Sequence, residues 1–155
     1  MSNSKKRLSV LILFAIAMGY VEAMVVVYLR YLIPVSEWSS ISTYRDLCVF
    51  IRNTGIMWSE QTREFATIIM LFCVAFLFGK TIKEKLASFL VAFGIWDIFY
   101  YLFLYLWLRW PENLFVWDVL FLIPSPWVSP VIIPVCVSIV MITTGYYLLF
   151  HRVQE

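Results

Sequence analysis

Three carboxylates stand inside long apolar runs of this sequence: Glu22, Glu64 and Asp97. An acid at the centre of a membrane helix costs roughly 2.5–3.5 kcal/mol on insertion scales, so each calls for a partner or a purpose. Arg63 precedes Glu64 and offers an ion pair to Glu22 or to Glu64. Tyr101 follows Asp97 by one helical turn, on the same face as Gly94 and Tyr105, and brings a hydroxyl that can bond a carboxylate or a ligand. Asp118 belongs to the second of two Trp-Asp steps, Trp96-Asp97 and Trp117-Asp118. Chance accounts for such a recurrence in a chain with 7 tryptophans, and the functional reading puts Asp118 at the outer mouth of the same site.

Two chemistries compete for these residues. In the first, Arg63 pairs with Glu22 or Glu64, Asp97 is held by Tyr101 or a tryptophan N–H, and the network fixes helix register and nothing more. In the second, Glu22, Arg63, Glu64, Asp97, Tyr101 and Asp118 form a ligand site. Three or more carboxylates against one arginine leave negative charge over, and a proton, a cation or an amine resolves the surplus. A metal held by Glu22, Glu64 and Asp97 has oxygen donors only, which favours a divalent cation such as Mg²⁺, Ca²⁺ or Mn²⁺ over Zn²⁺ or Cu²⁺.

Other chemistries lack their residues. Cys48, Cys73 and Cys136 are far apart and form no CxxC. The chain has 1 histidine, His151, so the Glu-x-x-His pairs of di-iron bundles and the buried histidines of haem sites are absent. Ser125 and Ser129 have no histidine near them in the sequence, and no catalytic residue is assigned.

The elements that must carry the acids follow from hydropathy. Of 155 residues, 63% are hydrophobic and 14% charged, against about 45–50% and about 25% in soluble domains. So small a globule has no interior large enough for that excess. A soluble domain, a disordered chain and a nucleic-acid partner are excluded, and the net charge of +2 is too small for a polyanion. The expected fold is an all-α integral membrane protein of four transmembrane helices in one domain, with membrane lipid as its surroundings.

The spans are read at 8–33, 59–79, 86–108 and 128–150, with an outer loop over 34–58. Pro34 closes the first span. Ser59 is the expected N-cap of the second, which draws Glu60, Arg63 and Glu64 into the helix. The prolines at 124, 126, 130 and 134 break the last apolar stretch and leave an interfacial or re-entrant segment over 114–127. The apolar run after Lys5-Lys6-Arg7 is longer than the 7–15 residues of a signal-peptide core.

Counting at about 1.5 Å per residue from the end that carries lysines, Glu22 lies about 21 Å up, Glu64 about 22 Å and Asp97 about 16 Å. Three acids on three helices therefore share one layer in the outer half of the bilayer. Ala15, Gly19 and Ala23 repeat small residues beside Glu22, a spacing that admits close helix approach. Four spans put both termini on one side, which collects 7 of the 12 basic residues and all 5 lysines. The positive-inside rule makes that side cytoplasmic, with Trp38, Trp58, Trp107, Trp110, Trp117 and Trp127 at the outer interface; the expected location is a bacterial inner membrane.

Three functions fit these features. The first is binding or transport of a proton, cation or small polar ligand at the acidic site, with a homodimer expected because four helices seldom complete a transport path. The second is an accessory or assembly subunit among other membrane subunits. The third is an enzyme on a lipid or isoprenoid, with paired carboxylates as acid and base or holding Mg²⁺.

Overall fold

The computed structural model describes residues 3–32, 55 and 57–150. Its elements are α1 (Asn3–Leu32), α2 (Met57–Phe78), α3 (Ile82–Leu108), β1 (Trp117–Phe121), β2 (Trp127–Pro130) and α4 (Ile132–Phe150). All four helices are long and apolar enough to cross a membrane. Most of the loop expected over 34–58 lies outside the described residues, as does His151.

The small-residue stripe of α1 is its packing face. Leu11, Ala15, Met18, Ala23 and Val27 are buried. Gly19 lies so near α3 that an added Cβ would stand 2.8 Å from the Trp96 carbonyl oxygen and 3.2 Å from the Tyr100 nitrogen. The α3–α4 seam is equally close. A Cβ on Gly94 would meet the Ser138 carbonyl oxygen at 2.6 Å, and one on Gly145 the Ala87 carbonyl oxygen at 2.7 Å. Close backbone approach at small residues is how helices gain packing where lipid supplies no hydrophobic drive.

Helix ends depart from expectation for local reasons. Ser59 is not the N-cap of α2: the helix starts at Met57, and the carbonyls of Trp58 and Ser59 accept from the Thr62 hydroxyl at 3.0 and 2.9 Å. α3 starts at Ile82, four residues before the expected span. Thr81 caps it, accepting from the Glu84 N–H at 3.2 Å, while the Glu84 carboxylate accepts from the Lys80 N–H at 2.7 Å. Arg109 ends α3 in the left-handed region (φ 54°), its N–H bonded to the Tyr105 carbonyl.

The fold is helical as expected, with four helices of spanning length; the segment expected to be interfacial or re-entrant adds one element to it, a two-stranded antiparallel hairpin. Trp117 pairs with Pro130, Asp118 with Ser129, Val119 with Val128 and Phe121 with Trp127, with a bulge between Val119 and Phe121. Phe121 packs against Phe93 and Trp96 of α3, ring centroids 6.2 and 6.3 Å apart, and so seats the hairpin on the bundle. Because β2 takes residues 127–130, α4 begins at Ile132 and not at 128. Pro134 does not break it, because it sits in the first turn, where backbone N–H groups have no intrahelical acceptor.

Candidate functional site

Polar side chains from all four helices and the hairpin occupy the half of the bundle beside the hairpin. Arg63 of α2 joins Glu22 of α1 and Glu60 one turn above it on α2; the Glu60 contact is 2.7 Å. Thr67 adds its hydroxyl to Glu22 at 3.3 Å. The Arg63, Glu22 and Glu60 side chains are only 25%, 13% and 16% exposed. This trio ties α1 to α2 on one arginine.

Glu64 takes no part in that ion pair. It heads the buried stripe Glu64, Thr67, Leu71, Ala75 of α2 and accepts from the backbone N–H of Leu122 at 2.8 Å. Gln61, one turn earlier, donates to the Leu122 carbonyl oxygen at 2.9 Å. Two side chains of α2 therefore satisfy both polar groups of one residue just past β1. Leu122 is itself buried, where unpaired backbone groups are costly.

Asp97 and Asp118 lie to the other side, along α3. Ser138 of α4 donates to Asp97 at 2.7 Å across the seam that Gly94 keeps narrow. Tyr101, one turn above Asp97, is buried and donates to Asp118 of β1 at 2.9 Å. Neither aspartate forms an ion pair with a described residue. Burial pushes the Asp118 carboxyl up to about 6; the Tyr101 hydroxyl, the Val119 N–H and the charge of Arg30 oppose that shift, and the charge of Asp97 adds to it. Arg30 lies over the Trp110 ring at 4.3 Å. The buried Trp96 indole N–H has no acceptor among the described residues.

Each sequence candidate thus has a defined place. Glu22 and Arg63 meet, and so do Tyr101 and Asp118. Glu64 and Asp97 are engaged separately, by Leu122 and Ser138. The donor set expected of a metal, Glu22 with Glu64 and Asp97, is not drawn together: no group of three or more His, Cys, Asp or Glu placed to hold a metal ion occurs among the described residues. Tyr101 bonds Asp118 and not Asp97. Gln61 and Ser138 are additions that sequence reading missed. A serine or glutamine in an apolar run carries no signal until the facing element is known.

The fold and this buried polar layer define an integral membrane protein with four candidate spanning helices. No family model, curated protein or solved structure matches the chain.

Proposed function

We propose that the chain is a membrane binding or transport protein that takes a proton or small cation on an acidic site in the outer half of the bilayer, centred on Asp97 and Asp118. The observation that carries this reading is the arrangement around Tyr101. Two half-buried carboxyls flank it, each bonded by one neutral hydroxyl and neither ion-paired with a described residue. A carboxylate drawn out of water and held in no ion pair favours uptake of a proton or a counter-ion, although the charge of Arg30 works against it at Asp118. In the same half, the described acids Glu22, Glu60, Glu64, Asp97, Glu112 and Asp118 outnumber the described arginines Arg30, Arg63 and Arg109, which leaves negative charge over among the described residues. A proton needs one carboxyl, whereas Ca²⁺ takes about six to eight oxygen ligands; separate engagement of the acids favours the proton.

Charge supports the orientation. Lys5, Lys6 and Arg7 flank one end of α1, and Lys80, Lys83 and Lys85 flank the α2–α3 turn at the same end of the bundle. By the positive-inside rule that end is read as cytoplasmic and the acids as lying toward the outer face, in what we take to be a bacterial inner membrane.

Potentiometric titration of the protein in lipid nanodiscs tests the proposal. Wild type is expected to take up protons as pH falls through about 6, and Asp97→Asn and Asp118→Asn to take up fewer. Equal uptake by all three proteins would contradict it and leave the acids as a structural lock.

A further inference from the structure

A second feature lies at the opposite end of the bundle, away from the acidic layer. A groove of about 410 Å³ opens between the first turns of α1 and the last turn of α2, lined by Val10, Leu11, Phe14, Val74, Leu77 and Phe78, with Lys6 and Arg7 at its rim. That volume lies within the roughly 300–1,000 Å³ of small-ligand sites. Its floor is Leu11, fully buried, and its walls are Val10 and Leu77, 67% and 79% exposed. From Lys6 to Phe14 the groove runs about 12 Å along α1, from a charged end into the apolar part of the span.

We propose that this groove holds an acyl chain of an anionic phospholipid whose phosphate is met by Lys6 and Arg7. Charge complementarity argues for that occupant. The groove is apolar along its length and cationic at one end, and a phospholipid presents the same order of groups at the same depth. Arg7 is held ready by the fold: its guanidinium donates to the Phe78 carbonyl oxygen and lies 5.0 Å from the Phe78 ring centroid. Five N–H donors radiate from a guanidinium, so that bond leaves others for a phosphate. Lys6 is exposed, and so is Lys80, two residues past Phe78 in the adjoining turn. Basic pockets between membrane helices bind anionic headgroups by this combination. A neutral headgroup with identical chains fills the groove equally well but gains nothing from the rim.

Native mass spectrometry decides the matter. The purified protein is offered equal amounts of phosphatidylglycerol and phosphatidylethanolamine with identical acyl chains. Wild type is expected to retain phosphatidylglycerol in excess. Lys6→Gln, a change at an exposed side chain, is expected to lower that retention about fivefold and leave phosphatidylethanolamine unchanged. Val10→Trp fills the groove from an exposed wall and is expected to displace both lipids. Equal retention of the two lipids by wild type, or phosphatidylglycerol retention unchanged by either substitution, overturns the proposal. Proton uptake at Asp97 and Asp118 stays intact in both variants, so the two readings fail separately.

Discussion

Glu64 on α2 accepts the backbone N–H of Leu122 at 2.8 Å. A buried acid in a spanning helix is thereby committed to holding the hairpin and not to pairing with the arginine beside it. The contact sets the height of β1 against the bundle, and with it the position of Asp118 opposite Tyr101.

Removing that acceptor leaves a buried N–H unsatisfied, at about 1–3 kcal/mol. Glu64→Ala is expected to lose stability by that amount and to expose the amides of β1 to hydrogen exchange. Glu64→Gln keeps an oxygen acceptor and is expected to retain most of both. Equal protection of β1 in wild type and Glu64→Ala would show that the hairpin is seated by Phe121 alone.

The Glu22–Arg63–Glu60 trio makes a different prediction. Truncating one partner of a buried pair strands the other charge and costs about 3–5 kcal/mol. Arg63→Ala is expected to be the most destabilising single change in the layer, measured by unfolding in detergent. Glu22→Gln with Arg63→Gln is expected to cost less than the sum of the single changes, because Glu22 is then not stranded across the α1–α2 contact and only Glu60 loses its partner.

Stability also depends on pH through Asp118. Its folded carboxyl titrates near 6, above the ordinary 3.8. The folded protein therefore binds more protons than the unfolded chain between those values, and stability falls as pH rises from about 4 through about 6, then levels. Asp118→Asn is expected to flatten that dependence. Tyr101→Phe removes a hydrogen bond that favours the anion and is expected to shift the midpoint upward. A profile unaltered by Asp118→Asn would place the titration elsewhere.

The α3–α4 seam is tested by Gly94→Ala. The new methyl would meet the Ser138 carbonyl oxygen at 2.6 Å, so the helices must part, at about 1–3 kcal/mol. Ser138 is then drawn away from Asp97. A Gly94→Ala protein as stable as wild type would mean that the seam is looser than these distances.

Much of this was legible in the sequence, because apolar runs of spanning length admit few structures and buried charge demands company. Counting residues places Glu22 and Arg63 at one height, and the structure joins them. The stripe Ala15, Gly19, Ala23 marks the face that meets α3. The hairpin was not legible. Its strands are five and four residues long, too short to establish an alternation, and Pro124 and Pro126 read as helix breakers when they lie in the connection between strands. Partner choice was illegible for a related reason. Tyr101 is one turn from Asp97 on the same helix, yet the nearest acid for its hydroxyl is on a hairpin whose position depends on Glu64 and Leu122. Ser138 resembles any serine in an apolar helix until Gly94 brings the backbones together.

The central claim is that the carboxyls flanking Tyr101 carry an exchangeable proton. Difference infrared spectroscopy of the reconstituted protein, recorded as pH is changed across about 6, reads protonated carboxyl groups directly. A band from protonated carboxyl that fades as pH rises, and that is diminished in Asp97→Asn and again in Asp118→Asn, is the expected result. A spectrum without any pH-dependent carboxyl band, or a band untouched by both substitutions, would contradict the account.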